Sequence, residues 1–304
     1  MKNLDILVTG GGGYIGSVLV TKLIELNYKV TVIDKMIFNK TSLNHLFHEK
    51  NFKIVIGDVN NNKLLKKHLK KKDFIIPLAA VVGASLCEKN KQEAVNTNLK
   101  AIEKICKFSK KNQKIIFLNT NSGYGVKKKE KVYDEKSELL PNSLYGKTKN
   151  DAEKVIKNRS NYLTFRLASV FGFSYRMRDE LLLHYMVKEA YTKKSIKLFE
   201  PNFKRNFVHI TDVCKAIIFG IQNFNDMKNE VYNLGLFRGT ITKLKLVNKI
   251  KNKIKKLKII IIKSRSDPDS RDYIVSNKKL EQKGFKATFS LDEGIKEILK
   301  IQEI

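Results

Sequence analysis

Nine residues near the start of this chain constrain its fold more than any others: Val8-Thr9-Gly10-Gly11-Gly12-Gly13-Tyr14-Ile15-Gly16. The residues before them (4–8) are an apolar, β-prone run, and those after (14–26) carry apolar side chains at helical spacing. Glycine at 10, 13 and 16 therefore falls on a strand–turn–helix. A turn without side chains lets backbone N–H groups approach a pyrophosphate at the N-terminus of the helix. Gly10, Gly13, Tyr14, Ile15 and Gly16 are accordingly candidate cofactor-binding residues. Asp34 ends the second apolar run. A carboxylate there accepts hydrogen bonds from an adenosine ribose and repels a 2′-phosphate, so the expected cofactor is NAD, despite the neighbouring Lys35.

The same alternation continues. Short Ile/Val/Phe-rich runs at 29–33, 52–56, 74–78, 114–118 and 162–167 suit strands buried on both faces. Helical patterns lie between them at 61–71, 93–111 and 143–158. Strand–helix alternation predicts an α/β, Rossmann-type doubly wound parallel sheet. Past residue 171 helices are expected at 179–192, 212–224, 242–253, 276–283 and 291–301, with short strands at 196–199, 206–209, 231–234 and 258–262. This reads as an NAD-binding domain over 1–168, with a returning segment at about 206–234, and a smaller α/β substrate-binding lobe over 169–304. Asp58 and Val59, then Leu78, Ala79 and Ala80, follow the third and fourth strands, where the cofactor would rest against carboxyl ends.

The catalytic candidates are Tyr145 and Lys149, a Tyr-x-x-x-Lys at the start of a helical pattern. The i, i+4 spacing puts phenol and ammonium on one face, where the cation can draw the tyrosine toward a general base. Thr120, with Asn121 and Ser122 after it, closes the fifth strand, and its hydroxyl can hydrogen-bond the substrate oxygen that Tyr145 deprotonates.

Composition removes other classes. The chain has 304 residues, 42% hydrophobic, with 60 Lys+Arg against 30 Asp+Glu for a net charge of +30. The lysines are dispersed and accompany abundant Asn and Ile, all of AT-rich codons, so genome composition accounts for the charge and no nucleic-acid partner is expected. The longest pure apolar stretch in the lysine-rich tail is 259–262, far below the ~18–20 residues of a membrane helix, so no membrane insertion is expected. Cys87, Cys106 and Cys214 lack metal-ligand spacing, so no metal is expected. Their odd number and the absence of a signal-peptide pattern fit a cytoplasmic setting.

These motifs, in this order, resemble the extended short-chain dehydrogenase/reductases, the NAD-dependent epimerase/dehydratase group acting on nucleotide sugars. Two further blocks carry the resemblance: Phe165-Arg166-Leu167-Ala168-Ser169-Val170-Phe171-Gly172 and Arg205-Asn206-Phe207-Val208-His209-Ile210-Thr211-Asp212-Val213. A late arginine block, Asp269-Ser270-Arg271-Asp272-Tyr273, matches as well. The resemblance implies a nucleotide-diphosphate sugar substrate, with Arg205 and Arg271 on the diphosphate, Ser169 and Arg176 lining the pocket and Phe199 near the base. It also implies a homodimer built on the 93–111 and 143–158 helices. The 4,6-dehydratases of this group resemble Thr-Asp-Glu where this chain has Thr120-Asn121-Ser122, and its 3,5-epimerases carry a cysteine where Ser122 stands, so the resemblance disfavours both reactions.

Hydride chemistry at C4 remains. Segments 41–52, 77–84, 119–125, 171–178 and 267–276 are similar to the GDP-heptose 4-dehydrogenase branch of bacterial capsule synthesis. That similarity implies a 4-keto product for surface polysaccharide and 2-oxoglutarate as recycling oxidant. A nucleotide-sugar 4-epimerase of the UDP-hexose type uses the same catalytic residues and is the alternative. The remote alternative, a catalytically silent NAD-binding regulator, typically lacks the tyrosine that is intact here.

Overall fold

The computed structural model describes residues 4–38, 40–125, 132–236, 239–262, 272 and 274–303. Its centre is a seven-stranded sheet in which every neighbouring pair is parallel. We label its first five strands β1 (Asp5–Thr9), β2 (Lys29–Asp34), β3 (Phe52–Ile56), β4 (Phe74–Pro77) and β5 (Lys114–Thr120). From one edge the order is Glu230–Leu234, Tyr162–Leu167, β5, β4, β1, β2, β3. The chain thus winds outward from β1 through β2 and β3, then returns to lay β4 on the other side. That reversal leaves a crevice at the carboxyl ends of β1 and β4, the usual place for a dinucleotide.

Alternation along each strand builds two cores at once. Ile6 and Val8 of β1, Phe74 and Ile76 of β4, and Ile116 and Leu118 of β5 face one apolar layer. Leu7, Ile75, Ile115 and Phe117 from the same strands face the other. The helices Tyr14–Glu25 and Ile210–Gln222 cover the first layer, whereas Leu65, Ile102, Ile105, Ala152 and Ile156 cover the second. A third apolar cluster is built mainly from residues beyond 180, including Leu183, Val187, Ile196, Leu246, Ile250, Ile295 and Ile298. Phe171 and Phe207 belong to it, on the short parallel strands Ser169–Phe171 and Phe207–His209.

The continuous helix expected over 93–111 is interrupted. The structure has a helix at Lys91–Val95, a wide π-type turn at Asn96–Lys100 and a helix at Ala101–Phe108. At the centre of the wide turn lies Asn98, which is 1% exposed. Its amide pairs with both backbone groups of Val81, accepting from N at 2.8 Å and donating to O at 3.0 Å. An inserted residue in a helical turn relieves such a demand by widening the turn. A short helix at Ala84–Lys89, absent from the sequence-based expectation, precedes it.

Candidate active site

The glycine loop has the tight packing that its sequence implies. Gly10 has φ +74°, and a Cβ there would come within 2.5 Å of Ala79 N. A Cβ on Gly16 would stand 2.3 Å from Gly10 O. Gly13 begins the helix Tyr14–Glu25 without a side-chain cap, so the first N–H groups of that helix face outward from a cradle that any side chain would fill. Asp34 lies beside it, accepting from Gly12 N (2.9 Å) and Met36 N (2.7 Å). Amide donors for a pyrophosphate next to a carboxylate for ribose hydroxyls fit the adenosine half of NAD. Lys35 does not compete for this place: its ammonium bridges Asp58 and Glu93, each at 3.0 Å. Burial raises the Asp58 carboxyl, but the Asn60 amide and Lys35 outweigh it and hold its pKa low. Val59 is buried, and Leu78, whose N–H donates to Thr9 O, starts the small-residue wall of Ala79 and Ala80 across the crevice.

The catalytic candidates converge on the carboxyl end of β5. Thr120 closes that strand and caps the turn Asn121–Tyr124, accepting from Ser122 N at 3.2 Å and donating to Ser122 Oγ at 3.2 Å. The helix Leu144–Lys157 starts beside it, capped by Ser143 Oγ on Gly146 N. Gly146 presses on this turn, since a Cβ there would meet Ser122 O at 3.0 Å. Tyr145, in the first helical turn, is half-buried; Lys149, one turn on, is 6% exposed. The Lys149 ammonium lies 4.1 Å from the centre of the Phe117 ring, and burial pushes its pKa down to about 7, against the opposing pull of Glu153.

Glu153, one further turn along the same face, anchors a buried network that the sequence reading missed. Its carboxylate takes both Nε (3.0 Å) and Nη2 (2.6 Å) of Arg166, each residue 2% exposed at its side chain. Asn119 Nδ2 donates to it as well, at 2.6 Å. Burial would raise the Glu153 pKa, but Arg166 outweighs it and keeps it below the usual carboxylate value. Arg166 Nη1 continues to Tyr124 Oη, which donates to Asn233 Oδ1 at 2.6 Å. Asn98 also reaches the catalytic helix, donating to Thr148 Oγ1 at 3.2 Å. The available signal was spacing: Glu153 continues the Tyr145, Lys149 series by four, and Asn98 is a lone amide on an apolar helix face.

The second lobe places the remaining candidates in two groups. Arg205, 3% exposed, sits on the strand Lys204–Arg205, antiparallel to Ile241–Thr242. Ser169 N donates to Asn206 O in the adjoining pair. Phe199 is half-buried beside the buried Lys243 ammonium, 5.6 Å from its ring, a cation that the sequence reading also passed over. Arg271 lies outside the described residues; its neighbour Asp272 accepts from Lys204 N at 3.0 Å. Arg176 is not with this group. Its guanidinium stands 4.4 Å over the Phe38 ring and within electrostatic range of Asp34, on the cofactor side. Residues 174–176 are tied to the glycine-loop helix through Ser174, whose Oγ donates to Tyr14 O and accepts from Arg176 N. Among the described residues no cluster could hold a metal ion, and no helix is long and apolar enough to cross a membrane.

Residues 6–235 match the model of the NAD dependent epimerase/dehydratase family. A Methanocaldococcus jannaschii protein described as "Putative UDP-glucose 4-epimerase" is 29% identical over 306 residues, covering 97% of each chain. The UDP-glucose 4-epimerase of Thermotoga maritima, solved with UDP-glucose, superposes with a TM-score of 0.84 at 25% identity over 99% of both chains. UDP-glucuronic acid 4-epimerase from Bacillus cereus, at 24% identity and a TM-score of 0.88 over 99% of both chains, shares the fold. Because the family model spans residues 6–235, well over half of its length, this chain belongs to the NAD dependent epimerase/dehydratase family and is an NAD-dependent enzyme acting on nucleotide sugars.

Proposed function

We propose that this enzyme oxidises the C4 alcohol of a nucleoside-diphosphate sugar and then reduces the ketone from its opposite face, making it a 4-epimerase. The observation that carries the oxidation at C4, common to both readings, is the single constellation of Thr120, Tyr145 and Lys149 at the end of β5, with Asn121 and Ser122 supplying no carboxyl group for elimination. Tyr145 Oη, as phenolate, accepts the C4 hydroxyl proton while Lys149 in its charged form steadies that phenolate. Thr120 Oγ1 holds the oxygen that becomes the carbonyl. Bound NAD supplies the hydride acceptor. Arg205, buried in the second lobe, and Arg271 would hold the diphosphate, with Ser169 and Phe199 beside the sugar nucleotide. The relatives whose descriptions name UDP-glucose 4-epimerases support the epimerase outcome and a UDP-sugar.

A second reading keeps the same first half-reaction but releases the ketone. It is favoured by the similarity of segments 41–52 and 171–178 to the GDP-heptose 4-dehydrogenases of capsule synthesis, and it requires 2-oxoglutarate to regenerate the cofactor. Purified enzyme incubated with UDP-glucose, UDP-N-acetylglucosamine or GDP-manno-heptose, with and without 2-oxoglutarate, separates the two. An isomer of unchanged mass without net NADH is the expected product. A 4-keto sugar whose yield depends on the keto acid would overturn the epimerase and establish the dehydrogenase. In either case Tyr145→Phe should lower turnover by roughly 10²–10⁴-fold. Retained activity in that variant would overturn the role given to Tyr145, whereas a wild-type enzyme that binds NAD but converts none of these sugar nucleotides would leave a silent NAD-binding regulator. A homodimer through the helices of residues 91–108 and 144–157 is part of the proposal, and sedimentation tests it directly.

A further inference from the structure

Arg176 carries an unexplained arrangement. Among the exposed large apolar side chains, Phe38 stands 66% exposed just past Asp34, in the loop that follows β2. The Arg176 guanidinium lies over its ring at 4.4 Å, although the two residues come from opposite halves of the chain. The backbone around Arg176 is held in place by specific bonds. Ser174 Oγ donates to Tyr14 O at 2.7 Å, lies 3.0 Å from Ser17 Oγ and accepts Arg176 N–H at 3.1 Å. Tyr14 Oη donates to Gly172 O at 2.8 Å. Tyr175 stacks on His45 with ring centres 4.2 Å apart, and His45 Nε2 lies 2.8 Å from Thr21 Oγ1. Residues 172–176 of the substrate lobe are thereby strapped to the helix that opens the cofactor cradle and to the loop beyond Asp34.

A half-buried guanidinium on an exposed aromatic platform is a ready receptor for an anion or a flat polar group, and Arg suits both. The groups facing it are Phe38, Asp34, Arg178 and Glu180; Asp34 and Glu180 favour its charge and Arg178 opposes it. Asp34 meanwhile has Gly12 N–H on one oxygen and Met36 N–H on the other, which fixes where ribose hydroxyls would meet it. Whatever binds along the glycine cradle and Asp34 passes beside Arg176.

We propose that Arg176 is a cofactor-holding residue that, with Phe38, caps the adenosine-diphosphate half of NAD, so that residues 172–176 retain the cofactor between turnovers. The proposal rests on NAD binding and not on the identity of the sugar. It is tested by loading the full-length enzyme with NADH and following loss of its protein-bound fluorescence on chase with excess ADP-ribose, with no sugar nucleotide present. Arg176→Ala should release NADH roughly 10- to 100-fold faster than wild type, the factor expected for one lost charge-assisted contact. Phe38→Ala should accelerate release in the same direction. Arg178→Ala serves as the comparison: it removes a cation of the same segment that opposes the Arg176 charge and frees Glu180, so release should be no faster than wild type. Release within about twofold of wild type in Arg176→Ala would overturn the proposal. So would equal acceleration by Arg178→Ala, which would mark a general loosening of the segment. Weakened sugar-nucleotide binding with unchanged NADH release would also overturn it and return Arg176 to the substrate.

Discussion

At the scale of single residues, Lys149 shows how burial and function pull against one another. Its ammonium is 6% exposed against the Phe117 ring, and burial brings its pKa from the ordinary lysine value of 10.5 to about 7. The unfolded chain therefore holds this proton at pH values where the folded enzyme has released it. By linkage the cost of burying the charge is fully present below about pH 7 and fades as pH rises toward the ordinary lysine value. Lys149→Met should accordingly gain most stability over wild type near pH 6 and almost none near pH 10, measured by urea unfolding across that range. The same substitution should lose catalysis, because a phenolate at Tyr145 needs the neighbouring cation. A gain that is independent of pH would show that Lys149 titrates as an ordinary exposed lysine.

At the scale of elements, the catalytic helix is held by what lies beneath it. The helix Leu144–Lys157 meets β5 through Asn119 and Glu153, and meets the strand Tyr162–Leu167 through Arg166. Both members of the Glu153–Arg166 pair are buried, so removing Arg166 leaves the Glu153 charge with only the exposed Lys157 ammonium at 3.1 Å and the Asn119 amide. Such losses cost about 3–5 kcal/mol. Arg166→Leu should therefore move the urea midpoint well below wild type, while the apolar double substitution Glu153→Leu, Arg166→Leu should recover part of the difference. If the single variant unfolds like wild type, Asn119 and the other neighbours of Glu153 are sufficient to hold the helix. The π-type turn at Asn96–Lys100 belongs to the same frame, since Asn98 links it to Val81 and Thr148.

At the scale of the whole molecule, the net charge of +30 sets the balance. Ion pairs such as Lys72–Asp5 and Lys249–Asp292 bind single lysines locally, but with twice as many cations as anions most of the surface remains mutually repulsive. Raising salt toward ~0.15 M shortens the Debye length to about 8 Å, which screens surface repulsion more than buried pairs. The melting temperature should rise over that range, with NaCl and KCl acting alike. A fall would show that the local ion pairs outweigh the long-range repulsion.

The sequence by itself determined the parallel sheet, the cofactor cradle and the chemical types in the catalytic set. Those features are written in local patterns: runs buried on two faces, glycines at a strand–helix turn, and side chains spaced by one helical turn. Residues 52–56 and 162–167, read as strands from composition, are strands with the same bounds. Tertiary structure alone decided contacts between distant parts of the chain. Glu153 with Arg166, Asn98 with Val81 and Arg176 with Phe38 are each set by the packing of separate elements. Asn98 shows the physical reason most directly: a helical pattern records which face is apolar, but the Val81 backbone groups that Asn98 satisfies become its neighbours only when the layers close. Arg176 likewise meets Phe38 only in the folded chain, because the segment bearing it is tied to Tyr14 and Ser17 through Ser174.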